Sequence, residues 1–189
     1  MAHEHCDGER VDYRPNRRAV VTALAGATLL PEPLLAETQS PAATSSNAED
    51  QHFMRIAIAE ARRADFPFGA VIVRNGRVLA RGRNLGRQNG DPTAHGEMVA
   101  IHRCIATHGS ASLKGSTLYT SGEPCAMCMG AILWCHFGRL VYAASVAQLA
   151  TKIDQIMISS KDVAAKAPFA PIDITGGVLS DEAMALFAK

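Results

Sequence analysis

The sequence predicts an α/β fold, a three-layer α/β/α sandwich around a mixed central sheet of roughly five strands. Three observations carry that expectation. Apolar residues recur at helical spacing in some stretches and form short continuous runs in others, so helices and strands alternate along the chain. Asn75-Gly76, set between two apolar runs, is a hairpin signal. The resulting order of helix, hairpin, helix, strand, helix, strand and tail gives a sheet with helices on both faces.

Taken from the start, Arg17-Arg18 stands directly before the apolar run Ala19–Leu30, which is too short to span a membrane. Residues 1–36 therefore resemble a twin-arginine export signal, with Ala36 as the small residue at the cut; the bland alternative is an amphipathic or disordered extension. Export in the folded state lets thiols take up a metal in the reducing cytosol before they meet an oxidising compartment. The expected location is thus periplasmic or exported, otherwise cytoplasmic, with no membrane span left after signal removal. Residues 37–50, rich in Ser, Pro and Asn, read as a polar linker, and residues 51–189 as the folded domain.

Within that domain Phe53, Ile56, Ala57 and Ala64 recur at helical spacing. Phe68–Val73 reads as a buried strand and Val78-Leu79-Ala80 as its hairpin partner. A loop from Asn84 to Asp91 leads to a helix started by Pro92 and Thr93 and stopped by Gly109. Thr117–Thr120 is a third strand, followed by a helix through Ile132, Leu133 and Trp134, then a strand over Arg139–Ala144. Residues 146–168 show no clear period. Pro171–Ile174 reads as an edge strand, and Ser180–Ala188 as a closing helix capped by Ser180 or Asp181.

Composition narrows the partners. The 189 residues are 48% apolar with a formal net charge of +1, and the cations form no long run. A large nucleic-acid face usually shows as a basic domain, so nucleic acid is disfavoured.

The chemistry is concentrated in Pro92-Thr93-Ala94-His95-Gly96-Glu97 and Glu123-Pro124-Cys125-Ala126-Met127-Cys128. His95, Cys125 and Cys128 are soft-metal ligands of the kind that hold catalytic zinc with one position open, and Glu97 is a carboxylate able to move a water's proton. Pro124 suits the start of a helix, which places Cys125 and Cys128 on one face at its positive end, where thiolates are favoured. His95 and Glu97, two apart, share a pocket if they sit in the ragged first turn of their own helix. A Cys125–Cys128 redox pair is the competing reading, and it leaves His95 and Glu97 unexplained. Cys104 and Cys135 read as small core residues, and His102, His108 and His136 as solvated or packing histidines.

His-x-Glu followed by Pro-Cys-x-x-Cys is the signature of zinc base deaminases. From about residue 52 the chain resembles the cytidine and deoxycytidylate deaminase superfamily, in the branch of bacterial guanine deaminases and tRNA adenosine deaminases. Pro67–Val73, Asp91–His95 and Leu118–Ser121 with Glu123-Pro124-Cys125 are similar to both groups. Gly130–Trp134 with Tyr142-Ala143-Ala144 looks closer to the guanine enzymes, and Ile174–Glu182 closer to the tRNA enzymes. The resemblance implies zinc on His95, Cys125 and Cys128, with Glu97 as proton shuttle for hydrolytic attack on the ring carbon bearing an amine. It also implies substrate contacts from Asn84, Phe68 and Trp134, with Asp154 as the remaining acid beyond the fourth strand, and a homodimer.

Three features depart from the guanine enzymes: Gly96 where alanine is usual, one acid in Lys152-Ile153-Asp154-Gln155 where a pair is usual, and a tail without the aromatic residues that close the pocket. The reading is a zinc-dependent deaminase of a free amino-heterocycle, a purine such as guanine. The alternatives are a tRNA adenosine deaminase, which export disfavours because tRNA is cytosolic, a cytosine-type deaminase, and an inactive scaffold that binds zinc or a base.

Overall fold

A computed structural model describes residues 41–188 of the chain, so the expected export signal at 1–36 lies outside the described residues. The first element, α1 (Pro41–Ala61), already takes up residues 41–50 of the expected 37–50 linker. Pro41 suits a first helical turn, and Ala42 and Ala43 favour the helix. What fixes the helix is distant in sequence. Asp50 takes both ends of the Arg139 guanidinium at 2.7 Å and the Tyr119 hydroxyl at 3.0 Å. A bidentate, largely buried pair of this kind ties α1 to the sheet.

The sheet follows the expected class. It has five strands in the order β2-β1-β3-β4-β5: β1 (Gly69–Arg74), β2 (Arg77–Arg83), β3 (Thr117–Gly122), β4 (Arg139–Ala144) and β5 (Asp173–Thr175). β1 runs antiparallel to β2 and β3, whereas β3, β4 and β5 are parallel. Asn75 and Gly76, at φ 51° and 68°, make the two-residue turn whose left-handed residues match the strand twist. Parallel strands need crossovers, and α4 (Ala126–Trp134) supplies the one between β3 and β4.

Alternation along the strands builds two cores. Ala70, Ile72, Leu118 and Leu140 face α3 (Gly96–His108), α4 and α6 (Ser160–Ala165). Val71, Val73, Tyr119 and Val141 face α1 and α7 (Ser180–Met184). The period of two across a sheet covered on both faces is what makes β1 apolar at every position but its last.

One contact sets the position of the later site. α3 lies flush on β2 because Gly82 has no side chain: a Cβ there would stand 2.0 Å from the Gly96 carbonyl and 2.4 Å from the Ala100 nitrogen. Gly96 answers from the helix side, where a Cβ would stand 3.1 Å from the Phe68 carbonyl. Gly96 is therefore part of helix-on-sheet packing.

Several boundaries differ from expectation for physical reasons. Pro92 and Thr93 do not open α3, because Asp91 accepts both the Thr93 N–H (2.8 Å) and its hydroxyl (2.6 Å) and holds them in a turn. His95 is the extended N-cap instead. The loop from Asn84 contains one helical turn, α2 (Gly86–Asn89). The stretch without period resolves into α5 (Val146–Leu149) and α6, each opened by a capping box, Ser145 with Gln148 and Ser159 with Asp162. α7 takes no side-chain cap; Leu179 is its left-handed N-cap, and the Ser180 hydroxyl bonds Gln148.

Candidate active site

Two helix N-termini and one strand end converge. β3 delivers the chain through Glu123-Pro124 to Cys125, the N-cap of α4, which puts Cys128 in that helix's first turn. α3 begins beside it, with His95 as N-cap and Glu97 one residue inside. Residues two apart can reach one pocket here because the N-cap lies outside the helical spiral.

The ligand atoms of His95, Cys125 and Cys128 all lie within 4.8 Å of one another. His95 Nδ1 stands 3.8 Å from the Cys125 Sγ and 3.6 Å from the Cys128 Sγ. Tetrahedral zinc, with bonds of about 2.3 Å to sulfur and about 2.0–2.1 Å to nitrogen, needs N···S separations of about 3.6 Å. The donor set therefore fits zinc in identity and in spacing. A redox pair alone gives no reason for the imidazole to face both sulfurs.

Electrostatics agree with a site built for thiolate. Cys125 is pulled down to about 4, first by the hydrogen bond from Cys128 and then by His95, against the opposing effect of burial. Cys128 is pushed up by that same bond and by burial. His95 is raised, chiefly by its contact with Cys125. Glu97 is 4% exposed, and burial raises its pKa above the usual carboxylate range. Thr120 donates to its Oε1 at 3.1 Å, which fixes the carboxyl from the middle strand of the sheet.

The site has an inner and an outer part. A cavity of about 60 Å³ is bounded by Phe68, His95, Glu97, Glu123, Cys125 and Gln155. A cleft of about 530 Å³ shares Phe68, His95 and Gln155 with it and extends past Phe66, Asn84, Arg87 and Asp154. The Arg87 guanidinium lies over the Phe66 ring at 4.8 Å, so the mouth of the cleft is an aromatic surface with one cation held against it.

Three of the four expected contact residues line this space. Phe68 borders both parts, with Phe187 packed on it at 5.5 Å between ring centroids. Asn84 is buried, and its side-chain oxygen accepts the Gly86 N–H at 3.0 Å, which leaves its N–H₂ as the donor to offer. Asp154 borders the outer cleft alone. Trp134 is a correction. It is 73% exposed and stacks on Phe169 at 4.8 Å, among the lining residues of neither space. α4 starts at the site, and nine residues at 1.5 Å each carry Trp134 roughly 13 Å away along its axis.

Residues missing from the sequence expectation are Thr120, Glu123, Gln155, Phe66 and Arg87. Glu123 sits beside the Pro-Cys pair and Gln155 beside Asp154, so adjacency was the available signal. Cys104 is fully buried in the core with Cys135 packed against it, as expected of core thiols.

Residues 47–144 match the cytidine and deoxycytidylate deaminase zinc-binding region. The tRNA-specific adenosine deaminase of Agrobacterium fabrum is 44% identical over 101 residues, covering 51% of this chain and 66% of that protein. The guanine deaminase of Bacillus subtilis is 47% identical over 78 residues, covering 41% of this chain and 50% of that protein. The matches thus span half to two-thirds of these relatives' own length. Among solved structures, one from a study of A-to-I editing by tRNA:A34 deaminases at the wobble position superposes with a TM-score of 0.62 at 33% identity, covering 71% of this chain and 98% of the other. The region matched by the family holds both arms of the site, His95–Glu97 and Cys125–Cys128, and just over half of the chain, which therefore belongs to the cytidine and deoxycytidylate deaminase zinc-binding family.

Proposed function

We propose that this protein is a hydrolytic deaminase of a free amino-heterocycle, a purine base such as guanine, releasing ammonia and leaving a carbonyl. The observation that carries the reading is the buried Glu97 beside the His95, Cys125 and Cys128 donor set, at the end of a cleft walled by Phe66 and Phe68. Flat heterocycles stack on such walls, and their polar edges need a few placed groups.

His95, Cys125 and Cys128 would hold zinc, which supplies Lewis-acid activation of water at neutral pH. Glu97 carries the protons. Its raised pKa suits it to accept one proton from water and hand it to a ring nitrogen, then to take the second from the hydroxyl added to the ring carbon and give it to the departing amine as the carbonyl forms. Thr120 keeps the carboxyl aimed during both transfers. Phe68 forms a wall for the ring, and the Asn84 N–H₂ donates to an acceptor on its edge. An inactive scaffold would have no use for a buried carboxyl tethered at this point.

The net charge of +1 and a mouth with one clasped arginine favour a small base over a polyanion. The second reading, deamination of adenosine in tRNA, draws its support from the similarity to the Agrobacterium fabrum enzyme. Export through residues 1–36 and pairing of two copies complete the proposal, and both rest on the sequence.

The test is ammonia release by the zinc-loaded protein offered guanine, adenine, cytosine, their nucleosides and tRNA, with Glu97→Ala as control. Release from one free base supports the reading. Release from tRNA alone replaces it with the second, and silence on all of them with zinc in place rejects both.

A further inference from the structure

The chain between β4 and β5 contributes Ile153, Asp154 and Gln155 to the site, yet Asp154–Ile158 belong to no helix or strand. What holds such a segment in place is legible at its two ends. α5 and α6 begin with the same device: a serine N-cap bonded to the third helical N–H, while the side chain of that third residue returns to the serine's own N–H. A capping box satisfies those two donors and leaves the first and second helical N–H groups without a partner.

The first helical N–H of each goes to one carboxylate. Glu123 accepts the Val146 N–H on Oε2 and the Ser160 N–H on Oε1, each at 2.8 Å. The residue is 6% exposed, and its own backbone N–H is bonded to the Ala144 carbonyl at 2.7 Å. A buried carboxylate demands good donors, and the first N–H of each helix supplies one to each of its oxygens. Glu123 also borders the inner cavity and stands two residues before Cys125. One side chain thus joins the turn that carries a metal ligand to both ends of the segment that faces the cleft.

We propose that Glu123 is the positioning residue of this site: its buried carboxylate fixes the 146–160 segment so that Asp154 and Gln155 stand where they read the substrate. The role deepens the deaminase reading and rests on it for its kinetic consequence. Closing a segment of this length at its base removes most of its freedom, and the two bonds form only when the strand end, the Pro124 turn and both helices are in register. Substrate affinity and selectivity then depend on Glu123, while the proton transfers of Glu97 do not.

The test compares the full zinc-loaded protein with Glu123→Ala and Glu123→Gln, by amide exchange, zinc content and ammonia release from guanine. In Glu123→Ala the Val146 and Ser160 amides, which lose their acceptor, should exchange at least about tenfold faster, with His95–Val99 unchanged and zinc retained. KM should rise about 10- to 100-fold with kcat within about threefold, the pattern of lost binding rather than lost chemistry. The amide of Glu123→Gln has one acceptor oxygen and turns N–H₂ toward the other helix, so it should loosen one helix N-terminus and raise KM by an intermediate factor; this variant decides the matter if the alanine variant fails to fold. Unchanged exchange at both amides, or a collapse of kcat at constant KM, overturns the proposal. Should the wild type release no ammonia from guanine, the deaminase reading of guanine falls by itself, and the exchange arm still decides whether Glu123 holds the segment.

Discussion

The contact between α3 and β2 makes a sharp prediction, because the two glycines at it, Gly82 and Gly96, differ in clearance. A Cβ at position 82 would meet the Gly96 carbonyl at 2.0 Å and the Ala100 nitrogen at 2.4 Å, and both are backbone atoms that no rotamer can move. Ordinary carbon contacts lie at about 3.5–4.0 Å, so Gly82→Ala must push the start of α3 off the sheet by on the order of 1.5 Å. Overpacking of this kind costs about 1–3 kcal/mol and more where the backbone itself is the obstacle. The displaced turn carries His95 and Glu97, and a misplacement of about 1 Å at the chemistry costs about 100-fold in rate. At position 96 the nearest atom, the Phe68 carbonyl, is 3.1 Å from the Cβ, so a shift of a few tenths of an ångström suffices. Urea unfolding should show Gly82→Ala destabilised by about 3 kcal/mol or more and Gly96→Ala within about 1 kcal/mol of wild type. Ammonia release should be lost in the first and change only a few-fold in the second. Equal stability of the two variants would refute the account of how α3 is seated.

Glu97→Ala should keep zinc and lose at least about 100-fold in turnover, since the carboxyl moves protons and is no ligand; zinc loss measured by metal analysis would contradict that division of labour. Asp50→Ala strips both bonds from Arg139 and one from Tyr119 and should cost about 2–4 kcal/mol in urea unfolding, reduced from a fully buried pair because Arg139 is partly exposed. A loss under about 0.5 kcal/mol would show that α1 is held by packing alone. Trp134→Ala should leave KM for the base within about twofold, because the ring lies on Phe169 and away from the cleft, and a tenfold rise would restore Trp134 to the pocket. Replacing Arg17 and Arg18 together by lysine should retain the protein in the cytoplasm, and unchanged export in a cell fractionation removes the twin-arginine reading.

What the sequence disclosed and what it hid divide along sequence distance. His95 and Glu97 are two apart and Cys125 and Cys128 three apart, so their chemistry shows as local spacing, and Asn75-Gly76 announces its turn in the same way. Glu123 is adjacent to that pattern, yet its partners lie 23 and 37 residues on, and nothing local marks a carboxylate shared by two helices. The Ser-Pro-Asn composition before residue 50 reads as linker because the partners of Asp50 lie 69 and 89 residues away. Trp134 fails for a different reason. The rise per residue of the helix capped by Cys125 carries the Trp134 ring away from the His95, Cys125 and Cys128 donor set, a distance that no local residue pattern displays.

The same division explains why family membership leaves the substrate open. The region that matches the family ends at residue 144, the last residue of β4, and it contains His95, Glu97, Thr120, Cys125 and Cys128. Asp154 and Gln155 lie beyond it, on the segment that Glu123 holds from inside it. On the proposed reading, the proton-transfer residues share the matched piece with the Phe66, Phe68 and Asn84 lining of the cleft, while the Asp154 and Gln155 lining belongs to a second piece, joined to the first through one carboxylate. Relatives named for guanine and for tRNA can share the first piece while the second varies, because a hydrogen-bonded anchor at the base of a loop constrains its ends and leaves its middle free to change. It follows that the residues between Ile153 and Ile158 should govern which heterocycle is accepted. Exchanging Gln155 for Glu should then alter the ranking of bases in the ammonia assay, with zinc content and the Glu97 requirement unchanged. An unaltered ranking would place selection on the Phe66, Phe68 and Asn84 side of the cleft.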